Sequence, residues 1–432
     1  MRMARTIGFS ALAACVLLVP VAGYGAGFAL FEHGARAVGL GGAFGATADD
    51  PTAIYFNPAG IAFLQGTQFA VGVEPITESA TFSGANPYPG QGYSVDMKKQ
   101  IFLPPHAYLT GELTPDLHWG IGAFAPFGLG TWWPSDYAGK YITKRVDLKT
   151  YNINPTLSYK VTENLALAVG VDYYYSALDL TRSLGAINPY TQQLSEIGQV
   201  HLYTDYKGGF GWNVGLLGKL DGGFSIGATY RSNVKIDYTG KASFIQFTTG
   251  HPDFDAIVAT QVPFGSKPTA KTSIKYPDEV RVALAWHGAK LGVEADVVRQ
   301  GWSSFKNLPI DLVGYPALSE TRPENYKDSN CYRLGVEYKA SPALAWQFGV
   351  LEDKTPVPTE SVSPLLPDAD RKGASVGASF SLSPKTRLDV SYMYLPFKER
   401  NTTEGTVHNS DNYEGTYKTK ANLVGITVVH QF

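Results

Sequence analysis

Cysteine is nearly missing from this chain: Cys15 and Cys331 are the only two in 432 residues. Cys15 lies within an N-terminal apolar stretch. A chain that loses that stretch keeps Cys331 alone and can form no intrachain disulfide. Charge is also scarce, at 17% against the usual quarter of a soluble domain. A formal net charge of -2 gives no electrostatic footprint for nucleic acid, and none is expected as a partner. Beyond Ala22 no apolar run approaches the roughly 20 residues of a helical membrane span. The eight histidines show no zinc-ligand spacing. Gly39-Leu40-Gly41 lacks the third glycine of a dinucleotide loop. Neither metal nor cofactor is expected. Gly223-Phe224-Ser225-Ile226-Gly227 and Gly373-Ala374-Ser375-Val376-Gly377 spell the nucleophile-elbow pattern. That motif needs a strand–turn–helix setting, and both copies lie in alternating stretches, so no enzyme is expected.

The N-terminus is a targeting segment. Arg2 and Arg5 give it a basic start, and Ile7 to Ala22 an apolar core. Gly23 and Gly25 stand where a signal peptidase reads small residues, which predicts a leader over 1–25. Leu12-Ala13-Ala14-Cys15 has the form of a lipoprotein box, but the apolar core continues past it through Val19.

Tyrosine is plentiful, with 26 copies, and aromatics reach 13%. Amphipathic rings in such excess suit the two girdles of a membrane barrel. The chain alternates with period two. Leu165, Leu167, Val169, Val171, Tyr173 and Tyr175 share one face, opposite Ala166, Ala168, Gly170, Asp172, Tyr174 and Ser176. Similar stretches surround Val280–Trp286, Tyr332–Tyr338 and Val376–Leu382. The second face is always small or polar, as a hydrated lumen would have it. Short turns are expected near Thr114–Asp116, Thr162–Asn164, Asp221–Gly223, Gly288–Lys290, Ala340–Pro342 and Ser383–Lys385. Between them come long polar connections, among them Thr77–Lys98, Thr181–Thr204 and Tyr238–Ala270. Six turns and seven loops predict an all-β, transmembrane antiparallel barrel of about fourteen strands over 65–432, in a bacterial outer membrane. Val424, Ile426, Val428, His430 and the terminal Phe432 share a face. An amphipathic last strand ending on an aromatic looks like the signal read by the barrel-assembly machinery, an expected partner along with outer-membrane lipid.

Residues 26–64 do not alternate. Gly39, Gly41, Gly42 and Gly45 sit among Ala, Val, Leu and Phe. Asp49-Asp50-Pro51 and Asn57-Pro58 are helix starts. Two or three short helices, too apolar to sit free in water, are expected to plug the barrel; an exposed arm that binds a partner is the other reading. Ala26-Gly27-Phe28, Gly34 to Phe44, Ala48-Asp49-Asp50 and Asn57-Pro58-Ala59-Gly60 together resemble the FadL family of outer-membrane long-chain fatty acid and aromatic-hydrocarbon transporters. Tyr151–Pro155, Trp302 and Leu366–Arg371 echo the same family.

The resemblance implies a barrel of fourteen strands closed by an N-terminal hatch. Its hydrophobic ligand meets an external apolar groove, moves to a site beside the mature N-terminus, here Ala26, Gly27 and Phe28, and leaves sideways at a kink in the third strand. The hatch residues Asn57, Pro58, Ala59 and Gly60 would lie near that gap. The third strand runs into Ala125, Pro126, Phe127 and Gly128, where proline removes a ladder donor; the alternative is a strand simply entering a loop. Phe244, Ile245 and Phe247 are apolar within an expected external loop. Asp253 is read as the cap of a helix carrying Phe254, Ile257 and Val258 on one face. These six are candidates for the external groove, or they pack the loops together. Arg281 and Arg333 face the lumen by alternation, as head-group ligands or as members of ion pairs with residues such as Glu294 and Glu337. No base stands near Tyr175–Ala177, where fatty acid carriers would place one, so neutral hydrocarbons and aromatics stay open as ligands. A general diffusion porin and an outer-membrane lipolytic enzyme are the two other functional readings.

Overall fold

The computed structural model describes residues 27–403 and 409–432. The expected leader, with Cys15, and Ala26 lie outside the described residues. Fourteen antiparallel strands close into a barrel. They are β1 (Gln68–Val73, resuming as Ile76–Gly84), β2 (Ser94–Asp96, Gln100–Phe102 and Pro105–Glu112), β3 (Leu117–Trp132), β4 (Arg145–Thr162) and β5 (Leu165–Ile187). Then come β6 (Leu194–Thr204 and Lys207–Lys219), β7 (Phe224–Arg231 and Val234–Gln246), β8 (Thr269–Tyr276 and Glu279–His287) and β9 (Leu291–Gln300 and Asn307–Leu312). The last are β10 (Glu320–Pro323 and Ser329–Ser341), β11 (Leu344–Asp353), β12 (Arg371–Ser383), β13 (Thr386–Pro396) and β14 (Gly415–Gln431). Each strand pairs with its sequence neighbour, and β1 closes on β14, from Gln68↔Gln431 to Ile76↔Leu423 and beyond. No helix among the described residues is long and apolar enough to cross a membrane.

The outer face carries the apolar half of each alternation. Leu167, Val169, Val171 and Tyr175 on β5 are exposed, as are Val282, Leu284 and Trp286 on β8. This is the pattern of a lipid-facing belt. Several strands run past the residues where loops were expected: β1 to Gly84, β5 to Ile187 and β7 to Gln246. On β7 the alternation inverts there. Lys235, Asp237, Thr239 and Lys241 point outward, whereas Ile236, Tyr238, Ala242 and Phe244 are buried inside. Above the lipid the outer face meets water and the inner face meets packed loops, so the apolar residues change sides.

Residues 27–64 lie within the cylinder and are almost wholly buried. They form α1 (Ala35–Gly39), α2 (Ala53–Phe56) and a 3-10 turn (Pro58–Phe63). Asp50 accepts from Thr52 N–H at 3.0 Å ahead of α2, and Asn57 caps the 3-10 turn by accepting from Ala59 N–H at 3.2 Å. The small faces of the strands receive this segment. A Cβ on Gly349 of β11 would meet Gly41 N at 2.0 Å, and one on Gly227 of β7 would meet Gly45 O at 2.1 Å. The glycine-rich faces that suggested a hydrated lumen are thus filled with backbone.

Polar lumen residues clamp the same segment. Glu294 accepts from Ala46 N–H at 2.7 Å and Thr47 N–H at 2.9 Å. Asp296 accepts from Phe44 and Gly45 N–H at 3.3 and 3.2 Å. Ser375 accepts from Gly41 N–H at 3.1 Å and donates to Gly39 O at 3.0 Å, so one of the two elbow serines is a packing contact.

Candidate functional site: a chamber at a break in the wall

The ladder between β2 and β3 stops at Ala107↔Ala123. Above it β3 pairs only with β4 on one side, as far as Trp132↔Arg145. Prolines stand on both edges of the unpaired stretch: Pro104 and Pro105 on β2, Pro126 on β3. None can donate to a ladder. A bulge between Phe124 and Phe127 adds a residue to β3 and switches which side chains face inward. Lys98 N–H donates to Trp132 O at 2.7 Å and closes the top of the break. Sequence reasoning found the β3 side alone; the Pro104-Pro105 pair was the available signal for the other.

The N-terminal segment fills the inner edge of the break. Leu30 N–H donates to Pro126 O at 2.9 Å, and Gly128 N–H donates to Phe28 O at 3.0 Å, around an Ala29↔Phe127 bridge. The Phe28 ring sits among Trp302, Phe305, Phe127 and Tyr276, with centroids 4.6 to 6.1 Å away. Gly27 N–H donates to Asp368 at 3.0 Å. A chamber of about 560 Å³ opens here. Its lining joins Phe28, Phe127 and Leu148 on the inside to Ile101, Leu103, Trp132 and Tyr151 on the outer face, so the space passes through the wall.

Of the residues singled out in the sequence, Gly27, Phe28, Ala125, Phe127 and Gly128 line this chamber, and Pro126 borders the small space beside it. Asn57, Pro58, Ala59 and Gly60 do not; they pack against β4, β5 and β6. Asn57 donates to Gly45 O at 2.7 Å and Leu216 O at 3.0 Å, tying the segment to itself and to β6. Arg281 bonds Asp296 and Gly42 O, at 3.0 and 3.2 Å. Arg333 donates to Gly41 O at 3.1 Å and covers the Phe31 ring. Neither arginine lines the chamber. Arg371, Glu32, Glu78 and Asp368 do, and of these the sequence pointed only to the Leu366–Arg371 stretch.

The six external candidates separate. Phe244, Phe254 and Val258 are buried with Ile197, Val200 and Leu312, Phe247 is half-buried, and Ile245 and Ile257 are exposed. The helix, α3 (Pro252–Gln261), starts after His251 rather than at Asp253, and Pro252 takes its first position. Its buried stripe is therefore Phe254 and Val258, with Val262 beyond its end, and Ile257 turns to solvent. Ser176 joins Thr150, Tyr238 and Tyr276 in a hydroxyl network with spacings of 2.7 to 3.0 Å, and the strand register sets Lys207 opposite Ser176 and Lys149 opposite Ala177, bases that the local sequence lacks. Among the described residues no group of His, Cys, Asp or Glu could hold a metal ion.

Residues 16–432 match the family model described as outer membrane protein transport protein (OMPP1/FadL/TodX). A long-chain fatty acid transport protein of Escherichia coli O6:H1 is 27% identical, with 92% of each chain covered. Outer membrane protein P1 of Haemophilus influenzae is 25% identical over 98% of this chain and 99% of its own. Among solved structures, a Pseudomonas aeruginosa FadL homologue superposes with a TM-score of 0.80 at 19% identity, covering 95% of this chain and 100% of the other. The Pseudomonas putida toluene transporter TodX gives 0.71 at 18%, covering 93% and 99%. The chain belongs to the OMPP1/FadL/TodX family of outer membrane transport proteins.

Proposed function

We propose that this outer-membrane channel carries hydrophobic small molecules passively, through the chamber beside Phe28 and out through the break between β2 and β3. As a family member it is a transport protein and not an enzyme. The observation that carries the route is the continuous lining from Phe28 to the exposed Ile101 and Leu103. Removing apolar surface from water is worth about 25 cal/mol per Å², so an apolar ligand gains by passing from a greasy chamber directly into lipid. The relatives' names, a long-chain fatty acid transport protein and a toluene transporter, support this ligand class. Of the outer apolar residues, the exposed Ile245 and Ile257 and the half-buried Phe247 serve as the entry side of the route, while Phe244, Phe254 and Val258 are buried in packing. Residues 26–64 act as its hatch, with the leader over 1–25 removed and the barrel beginning at residue 65.

The porin reading would need an open lumen, whereas the hatch fills the described cross-section. Uptake of a labelled alkane or alkylbenzene by whole cells tests the route. Ala125→Glu, which puts a charge at the break, is expected to reduce uptake about tenfold while the barrel still assembles. Undiminished uptake with Ala125→Glu would remove the lateral route. Robust sugar flux through the unaltered protein in liposomes would favour the porin.

A further inference from the structure

The inner end of the chamber is acidic. Glu32, Glu78 and Asp368 line it, and Arg371 is the one base among its lining residues that is not exposed. Lys99, Arg145 and Lys149 line the chamber as well, but at its exposed outer rim beside Asp147. Arg371 is already engaged, donating to Asp353 at 2.9 Å, and only its Nε–H is buried without a partner. Asp368 holds the Gly27 N–H at 3.0 Å and the Thr355 hydroxyl at 2.5 Å; Glu32 holds the Phe31 N–H at 2.9 Å. The Glu78 carboxyl makes no hydrogen bond among the described residues, although its backbone lies in the β1 ladder. Three chamber carboxyls thus face Arg371, while Asp353 and Arg333 stand with it around a small adjoining space.

The charge balance decides which head group fits. An ionised carboxylate would add another negative charge, and it can only accept hydrogen bonds. A hydrocarbon offers nothing to the unpaired Nε–H or to the carboxyl oxygens. A hydroxyl does both: it accepts from Arg371 Nε and donates to a carboxylate oxygen. We propose that the inner end of the chamber recognises the hydroxyl of an uncharged apolar alcohol or phenol and rejects an ionised carboxylate. The inference rests on the chamber being a ligand site, as proposed above. Burial raises the Glu32 and Asp368 carboxyls above their ordinary range, opposed by Arg371, and for Glu32 also by Arg333. The site's charge therefore falls as pH falls, and a fatty carboxylate is itself neutralised in the same direction.

The test is equilibrium binding of 1-dodecanol, dodecanoate and dodecane to the purified full chain in a nonionic detergent, with empty micelles subtracted. At about pH 8 dodecanol is expected to bind about tenfold more tightly than dodecanoate, the factor of one lost favourable contact. Dodecanoate should gain affinity as the pH is lowered to about 5. Glu78→Gln should narrow the gap by strengthening dodecanoate. Equal or tighter binding of dodecanoate at pH 8 overturns the proposal. So does an unchanged ratio in Glu78→Gln when its heat-modifiable gel mobility shows an intact barrel. If dodecane binds and the alcohol has no advantage, only the head-group inference fails. If none of the three binds, the chamber itself is not a ligand site.

Discussion

Arg36 on the hatch meets Glu337 on the barrel wall in a two-point contact, Nε to Oε2 at 2.7 Å and Nη2 to Oε1 at 3.0 Å. Asp49 pairs with the same guanidinium, and Asp50, within 3.7 Å of it, binds Arg387 of β13 at 2.6 Å. Removing one partner of a buried pair costs about 3–5 kcal/mol, because the other charge is stranded. Arg36→Ala is expected to loosen the hatch and leave the cylinder standing. Hydrogen exchange over 35–50 should rise, and ion conductance in planar bilayers should increase. A variant with unaltered exchange and conductance would show that the pair does not hold the hatch.

The contact between Gly349 and Gly41 gives a steric prediction. A Cβ at Gly349 falls 2.0 Å from Gly41 N and 2.2 Å from Leu40 C, both backbone atoms that cannot swing aside. Gly349→Val is expected to cost the seated hatch about 1–3 kcal/mol through overpacking. β11 itself should accept valine, which favours strands. Heat-modifiable mobility of the barrel should therefore persist while protease cuts the hatch.

Asn57 uses its whole side chain to hold the hatch, donating to Gly45 O within it and to Leu216 O on β6, and accepting from Ala59 N–H. Asn57→Ala leaves buried carbonyls and one N–H unpaired, at about 1–3 kcal/mol each where no water enters. Hydrocarbon uptake is expected to fall several-fold with normal barrel assembly. Unchanged uptake would mean that Asn57 has no part in transport, since the residue stands away from the chamber.

The external loops carry a pH prediction. Burial pushes the Glu324 carboxyl up to about 7, against the opposing pull of Arg322. Arg322 also grips Asp411 through two bonds at 2.7 and 2.8 Å. The docked loop holds its proton more firmly than a freed loop whose carboxyl titrates near 4.5. Docking is thus strongest below about 4.5 and weakens as pH rises to about 7, by on the order of 3 kcal/mol in total. Exchange at 320–327 and 409–414 should accelerate across that window. Glu324→Gln should flatten the dependence; an equal slope in that variant would place its origin elsewhere.

Much of the barrel was legible because lipid imposes one rule on every strand. Leu167, Val169 and Val171 had to be apolar whatever lay inside, and the six short turns announced themselves through Gly, Pro, Asn and Asp. The outer extensions were harder. On β7 the rule reverses at Lys235, and Phe244 reads as a loop residue unless the water above the membrane is taken into account. The chamber was half legible. Pro126 marked one edge, while Pro104-Pro105 belongs to a strand in three pieces with too little alternation to be noticed. The contacts of Arg281 and Arg333 with residues 41 and 42 could not be read, since Gly42 and Gly41 reach them through backbone oxygens that every residue has. The acidic lining joins residues as distant as Glu32 and Arg371, and only the closed cylinder brings them together.

Closure of the cylinder pairs Gln68 with Gln431, so the wall has no last seam until the final strand is made. The hatch is therefore synthesised first and housed last. Until β14 arrives, Phe28, Phe44 and Phe56 have no interior to enter, and Gly349 offers Gly41 only half a socket. Assembly becomes a question of timing: a greasy forerunner is made before the container that will bury it exists.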